Sequence, residues 1–231
     1  IVLEGDNYVQ RINCGGLAVA GYEPDWPETP RDLPVLDFYR DWALSEFGES
    51  VADETAGLFN RLDGKLPIPV NWTNGPGGLV PNPRPWPEVR RAYAFVDDFA
   101  EIGTRLTGTA TRARYDVWLR QFEYMRETAR FACLWAEFNA AMEKVKAAKD
   151  KAARESVATE TALPVRVEMA ASLKKIFGCL LAAAGNMGDL GTIMNWEQHI
   201  LPGAFERPGE ELARALGGTL PPQARLSSEY E

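Results

Sequence analysis

Histidine and cysteine are rare in this sequence, which has one histidine and three cysteines in 231 residues. Cys14, Cys133 and Cys179 are far apart and form no Cys-x-x-Cys pair, so neither a disulfide framework nor a zinc site is predicted. The single His199 excludes a metal centre built from several histidines, although it leaves a single-histidine mechanism open. Cys133 and Cys179 lie in apolar helical patterns that are typical of buried thiols.

Long apolar runs and excess positive charge are also missing. No run of about 18 apolar residues occurs, so no membrane-spanning helix is predicted. The 25 basic and 33 acidic residues give a net charge of −8, and they are interleaved, which excludes a basic surface for nucleic acid. The motifs GxxxxGK[ST], GxSxG and HExxH do not occur. We therefore expect no metal ion, no cofactor and no catalytic residue in this chain, and neither a nucleic acid nor a membrane as partner.

The sequence divides into three segments. Residues 1–35 alternate in polarity and then turn repeatedly at prolines, which predicts one or two short strands and a proline-rich connector at the edge of a neighbouring domain. Residues 36–201 have apolar side chains at helical spacing, which predicts a helical domain. Residues 202–231 predict a short helix and a linker to a following domain.

The helical segment predicts a bundle. Its helices are expected over residues 36–47, 50–62, 87–103, 110–150 and 163–185, with Ser50 capping the second. The pattern over residues 110–150 lacks glycine and proline and would form a helix of roughly 60 Å. Antiparallel packing of the last helix on this long one would bury both apolar faces. The predicted fold class is therefore mainly α, an up-and-down helical bundle with one long helix, a short β-like N-terminal segment and a long Gly/Pro/Trp loop.

That loop, Pro67–Pro87, has the sequence PIPVNWTNGPGGLVPNPRPWP. Loops of this length are uncommon in compact domains and often carry function. Its tryptophans offer flat apolar faces and its asparagines offer hydrogen-bonding groups, a combination that suits a sugar ring. The alternative is that the tryptophans only pack the loop onto the helices. The candidate substrate-binding residues are Asn71, Trp72, Asn74, Trp86 and, in the connector, Trp26.

A second candidate surface lies between Asn186 and His199. Asp189 is placed to cap a short helix on which Asn195 and His199, four residues apart, share one face. Glu197 and His199 alone do not make a catalytic pair. Capping and packing explain this pattern, with polar contact to a ligand or a neighbouring domain as the alternative.

Acidic residues are abundant, but glycoside hydrolysis needs two carboxyl groups held roughly 5 to 10 Å apart across a cleft. Glu23 and Asp25, beside Trp26, are the only acids that an aromatic residue flanks in a loop of this kind. A catalytic role for these two acids is a minor alternative.

Four motifs, DFYRDWALSEFG, NRLDG, WTNGPGG and GDLGTIMNWEQH, resemble the helical region that follows the catalytic barrel in large bacterial polysaccharide-degrading glycoside hydrolases, such as α-glucuronidases and agarase-like enzymes. The resemblance covers about residues 36–201. RINCGG is separately similar to the opening of malectin-like carbohydrate-binding domains and equally compatible with the final strand of a barrel. A (β/α)8 barrel alone takes about 250 residues, so the acid and nucleophile of such a parent would lie outside this chain.

The resemblance implies a helical accessory domain that supports the barrel and contributes loop residues to carbohydrate binding. It also implies the partners: the neighbouring catalytic barrel and a C-terminal β domain of the same polypeptide, a polysaccharide or oligosaccharide, and a possible homodimer. The implied location is periplasmic or secreted. The alternative from another class is a purely structural or dimerisation domain without ligand contact. A self-contained enzyme using His199 and a carboxylate is a third reading.

Overall fold

A computed structural model of the chain describes residues 34–70 and 78–226, together with the backbone of four short strands among the first 33 residues. The chain divides into two units, Ile1–Asp37 and Phe38–Glu231. In the first unit, β1 (Val2–Glu4) pairs antiparallel with β2 (Asn7–Gln10), and β3 (Ile12–Asn13) pairs parallel with β4 (Glu23–Pro24). Most of this unit lies outside the described residues, so the β-like segment and the connector stay predictions.

The remainder of the described chain is helical, which confirms the prediction of a mainly α protein. Its helices are α1 (Leu36–Phe47), α2 (Glu49–Leu62), α3 (Trp86–Val89), α4 (Phe95–Gly103), α5 (Thr109–Ala147), α6 (Lys151–Val157), α7 (Leu163–Ala183), α8 (Leu190–Asn195) and α9 (Arg207–Ala215). Tight 3-10 turns cover Arg90–Tyr93 and Pro222–Ala224, and wider π turns cover Ala158–Ala162, Trp196–Ile200 and Pro202–Glu206. None of the described helices has the length and apolar character needed to cross a membrane.

The long helix α5 organises the helical unit. Its 39 residues extend for about 58 Å at 1.5 Å per residue, close to the predicted range. It runs antiparallel to α7, because Arg130 of α5 pairs with Glu168 early in α7 at 3.2 Å, whereas Glu123 meets Cys179 late in α7 at 3.9 Å. This packing buries the apolar faces of both helices, as expected from their spacing.

The buried side chains form two clusters, one on each half of α5. In the N-terminal core, α1, α2 and α4 pack against the first half; its large members are Phe47, Phe59, Phe95, Phe99, Tyr115 and Phe122. In the C-terminal core, α7 and the helices after residue 189 pack against the second half; its large members include Phe131, Phe138, Leu173, Ile176, Trp196 and Phe205. One helix therefore supports two cores.

Three prolines account for the three π turns. Pro164, Pro202 and Pro208 each lie two residues beyond the end of a π turn. A proline has no N–H to donate, and its ring collides with the carbonyl four residues back. The residue before each proline instead donates to the carbonyl five residues back; the pairs are Leu163 to Ala158, Leu201 to Trp196 and Arg207 to Pro202. The helical backbone therefore continues through all three prolines.

This continuity changes the helix boundaries expected from the sequence. The helix predicted to begin near residue 163 starts at Lys151, and one continuous helical segment covers Leu190–Ala215. That segment passes through residue 201, where the sequence suggested a domain boundary. Phe205, Leu212 and Ala224, which follow that boundary, are at most 2% exposed in the C-terminal core.

Two further details differ from prediction. Gly48, with a φ of 85°, precedes the first residue of α2, and no side chain caps that helix. The proposed Ser50 cap is therefore wrong: glycine tolerates this left-handed conformation, and the helix starts before Ser50. The single helix predicted over residues 87–103 is divided by the tight turn at Arg90–Tyr93.

Candidate functional site

The two arms of the Pro67–Pro87 loop are fixed to the helical unit. Val70 and Leu79, 5% and 4% exposed, lie in the C-terminal core. The backbone N–H of Asn82 donates to the carbonyl of Ala132 in α5 at 2.9 Å. Trp86, at the start of α3, packs against the N-terminal core. The ends of the loop are thus held by both cores.

The structure bears on only one of the five predicted sugar-contacting residues. Asn71, Trp72 and Asn74 fall within residues 71–77, and Trp26 falls among the first 33, all outside the described residues. Trp86 is half-buried and packs against apolar neighbours. Packing is thus observed for Trp86, and carbohydrate contact stays a prediction for all five.

A groove of about 400 Å³ lies between the loop arms, the helical turns after Trp86, and α5. Ala129 and Ala132 of α5 line it, and their small side chains let the loop approach the helix closely. The exposed walls are apolar, with Ile68 80% and Val80 68% exposed. The lining prolines, Pro67, Pro69, Pro81 and Pro83, restrict the backbone of both arms. The groove is therefore a preformed surface with exposed aliphatic walls.

Three polar side chains also line this groove: Asn82, Arg84 and Glu88. The Asn82 side-chain oxygen accepts a hydrogen bond from the backbone N–H of Arg84 at 3.1 Å, which fixes the second arm. An amide, a cation and a carboxylate beside an apolar wall can orient a ligand rich in hydroxyl groups. These three residues lie within seven positions of the chain, and only the fold shows that they share a groove with Ala129 and Ala132 of α5.

The groups beneath the groove are not nucleophiles at neutral pH. Tyr93 is 4% exposed, and burial, followed by the nearby Cys133, raises its pKa to about 12. Burial also raises the pKa of the Cys133 thiol, with a further contribution from Glu137. A protonated thiol and a protonated phenol have little nucleophilic character. These groups give the groove no means of attacking a bound ligand.

A second cavity, of about 440 Å³, lies between α5 and α7 and is lined by charged side chains. Glu123 pairs with Arg120 at 2.6 Å, and Glu127 pairs with Arg130 at 3.3 Å. Burial raises the pKa of Cys179 in this cleft to about 11. Both carboxylates are therefore paired with arginines on their own helix.

The predicted burial of the cysteines is confirmed for Cys133, whereas Cys179 is only partly buried. Cys14 lies outside the described residues. Among the described residues, no group of three or more His, Cys, Asp or Glu side chains is placed to hold a metal ion.

In the second predicted surface, Asn186–His199, Asp189 closes a turn and Trp196 packs into the C-terminal core. Asp189 does not cap α8: its carboxylate accepts hydrogen bonds from the backbone N–H groups of Gly185 and Asn186, at 2.8 and 3.1 Å, and closes the preceding turn. Trp196 is fully buried, and its indole N–H donates to the Tyr124 hydroxyl at 3.1 Å. His199 is exposed on the outside of this segment. The spacing of Ile193, Trp196 and Ile200 is the signal that indicates burial of Trp196.

No family model matches the sequence, and neither curated proteins nor solved structures gave a match. The function of the chain is therefore inferred from the groove geometry and from the residues of the loop that the groove adjoins. The side chains of Glu23 and Asp25, like that of Trp26, lie outside the described part of the chain.

Proposed function

We propose that this chain is a helical accessory domain of a polysaccharide-degrading glycoside hydrolase, which supports the catalytic barrel and contributes the Pro67–Pro87 loop to carbohydrate binding. The observation that supports this most is the groove of about 400 Å³ at the base of the loop. Its walls are held in place by both cores, and preformed sites lose less conformational entropy when a ligand binds.

The chemistry of the groove agrees with a saccharide ligand. A pyranose ring presents apolar C–H faces and hydroxyl edges, and the groove offers apolar walls with Asn82, Arg84 and Glu88 beside them. In this proposal, Trp72 stacks on the ring while Asn71 and Asn74 hydrogen-bond hydroxyl groups. Trp86 and Trp26 are the remaining residues proposed to contact carbohydrate.

Catalysis is assigned to another domain in this proposal. The thiol and phenol beneath the groove are protonated at neutral pH, and the carboxylates of the cleft between α5 and α7 are paired with arginines. The acid and nucleophile would come from the barrel of the same polypeptide, with a C-terminal β domain as a further neighbour. Periplasmic or secreted location, the up-and-down helix order and the strand-like edge at residues 1–35 belong to the same proposal.

The test is calorimetric titration of the chain with galactan and uronic-acid oligosaccharides, supported by tryptophan fluorescence. We expect saturable binding, and we expect Trp72→Ala to weaken the affinity at least about tenfold, equivalent to roughly 1.4 kcal/mol. Trp118→Ala is the control, since Trp118 lies on α5 and contacts Trp42 and Phe59 of the N-terminal core. Equal losses in the two variants, or no binding by the parent chain, would contradict direct carbohydrate contact.

A second candidate function is a structural or dimerisation domain. It is supported by the exposed aliphatic side chains Ile68 and Val80, because exposed apolar patches mark protein interfaces. Replacing both by aspartate separates the two functions. If the surface binds a second copy, the double variant lowers the mass measured by light scattering and leaves saccharide titrations unchanged; if it binds sugar, the mass is unchanged and the titration is lost.

A further inference from the structure

The chain after α9 crosses back onto α7 as a short strap, residues 217–226. Gly217, with a φ of 74°, and Gly218, whose N–H donates to Ala213 at 3.0 Å, end the helix and turn the chain. Leu220 and Ala224 of the strap are 8% and 0% exposed and join the C-terminal core. The strap is thus a packed element although it has little regular structure.

Arg166 of α7 joins the strap to the helical segment before α9. Arg166 is buried, with 3% of the residue exposed. Its Nε donates to the carbonyl of Ala224 in the strap at 3.1 Å, and its Nη1 donates to the carbonyl of Phe205 at 2.6 Å. The guanidinium carbon lies 3.1 Å from the centre of the Phe205 ring. One side chain therefore holds the strap and a π turn together.

The backbone of α9 encloses Arg166 from another side. A Cβ atom placed on Gly209 would lie 2.5 Å from Nη2 of Arg166 and 3.0 Å from its guanidinium carbon. Only glycine leaves room for the guanidinium at this position. The arginine is therefore closed in by α9, the π turn and the strap.

This enclosure holds a positive charge whose direct contacts are two carbonyls and a ring. Within residues 34–70 and 78–226, no carboxylate forms an ion pair with Arg166; burial lowers its pKa, and the charge of Glu206 opposes that shift. Arginine stays protonated in proteins, so the closed strap desolvates a cation. The two hydrogen bonds and the ring contact offset this cost. Opening of the strap removes the Ala224 acceptor and exposes that side of the guanidinium to water.

We propose that residues 217–226 open as a unit while the remainder of the helical unit stays folded, and that Arg166 is the group that holds them closed. Because the same guanidinium also bonds to the carbonyl of Phe205, release of the strap removes one of the two acceptors that hold it against the π turn preceding α9. The strap is therefore a conformational device that couples the chain at residue 226 to the helical segment Leu190–Ala215. This inference is independent of carbohydrate binding.

Residue-resolved hydrogen exchange of the whole chain tests the opening. The amides of Ala224 and Arg225 donate to Pro221 and Pro222 at 2.9 and 3.1 Å and report on the strap. We expect them to exchange at least about tenfold faster than the core amides of α7, with little dependence on added denaturant, as in local opening. Exchange of the strap amides only through global unfolding would overturn the proposal.

Variants of Arg166 test what holds the strap. We expect Arg166→Ala to accelerate strap exchange by a further factor of about ten, because two carbonyls lose a charged donor, while α2 and α4 amides stay unchanged. Arg166→Lys, which keeps the charge without the planar fork, should have a smaller effect. Arg130→Ala is the control, since Arg130 is also a partly buried arginine but pairs with Glu127 and Glu168 rather than with the strap.

Gly209→Ala provides the same test if Arg166→Ala fails to fold. Its Cβ presses on the guanidinium from α9 while leaving the arginine and both acceptors in place, so strap exchange should again rise. Acceleration spread evenly over α5 and α7, or no acceleration in either variant, would show that Arg166 does not hold the strap.

Discussion

The two cores on α5 are built from different side chains. In the N-terminal core, aromatic rings contact one another directly: Phe99 stacks on Tyr115 with ring centres 4.0 Å apart, and Phe59 and Phe122 lie within 6.0 Å of Phe99. The C-terminal core is mostly aliphatic, with its ring contacts gathered around Trp196. One helix therefore carries an aromatic core at one end and an aliphatic core at the other.

This difference determines what each core tolerates. Ring contacts depend on orientation, and in the N-terminal core a Cβ on Gly103 would lie 2.7 Å from the Tyr115 ring. The N-terminal core has the buried hydrogen bond from the Tyr115 hydroxyl to the Phe99 carbonyl. The C-terminal core has the Trp196–Tyr124 hydrogen bond and the buried Arg166 guanidinium. We expect the N-terminal core to be sensitive to changes of shape and the C-terminal core to the loss of hydrogen bonds.

The largest expected effect is that of Phe99→Ala. Phe99 is fully buried, and Tyr115 both stacks on its ring and donates a hydrogen bond to its carbonyl at 2.7 Å. Removal of the ring should lower the free energy of unfolding by about 3 to 5 kcal/mol, measured by urea denaturation. Phe38→Ala is the control, since Phe38 is 68% exposed, and it should cost under about 0.5 kcal/mol.

The same experiment tests α5 as a shared element. Unfolding followed by near-ultraviolet circular dichroism and by exchange of α7 amides should shift together, because α5 belongs to both cores. Two separate transitions in Phe99→Ala would show that the cores unfold independently.

Sequence patterns predicted the helical elements better than their connections. Apolar spacing placed α5 within a few residues, but Pro164 suggested the start of a helix, and the structure shows a π turn that lets the helix continue. The sequence shows that Pro164 has no N–H to donate. It does not show that the N–H of Leu163 donates to the carbonyl of Ala158, five residues back, and so lets the helix continue. Arg166 gave no signal, because its acceptors Phe205 and Ala224 are 39 and 58 residues away.

Of the candidate site, the sequence predicts the loop but not the groove. The composition of Pro67–Pro87 indicated a surface with tryptophans and asparagines, whereas the groove depends on Ala129 and Ala132, which look like ordinary helix positions. Trp86 shows the difficulty, since its ring packs against the N-terminal core. The same residue type serves packing and ligand contact, and only the fold assigns it.

The second expected effect is the loss of stability at alkaline pH that Tyr93 causes in the N-terminal core. Burial raises the pKa of Tyr93 in the N-terminal core to about 12, whereas the unfolded tyrosine titrates near 10. The raised pKa favours the protonated form in the folded state, so its contribution to stability is complete below about pH 10 and is lost as pH rises towards about 12.

This loss should amount to about 2 to 3 kcal/mol for Tyr93 in the alkaline range. Urea midpoints measured between about pH 8 and pH 12 should fall less steeply in Tyr93→Phe than in the parent chain. Tyr39→Phe is the comparison variant: burial and then Asp63 raise the pKa of Tyr39 as well, but this ring is only partly buried, so the slope should change less than in Tyr93→Phe. Equal slopes in Tyr93→Phe and the parent chain would show that Tyr93 does not carry the alkaline sensitivity of the aromatic core.

The smallest expected effect concerns the C-terminal core, where the indole N–H of Trp196 donates to the Tyr124 hydroxyl at 3.1 Å. A double-mutant cycle with Trp196→Phe and Tyr124→Phe should give a coupling free energy of about 0.5 to 1.5 kcal/mol. The hydrogen bond also opposes the rise that burial imposes on the pKa of Tyr124. Trp196→Phe should therefore raise that pKa further, as measured by tyrosine carbon NMR, because the phenolate loses a donor. A coupling near zero with an unchanged pKa would mean that the hydrogen bond between Trp196 and Tyr124 does not stabilise the C-terminal core.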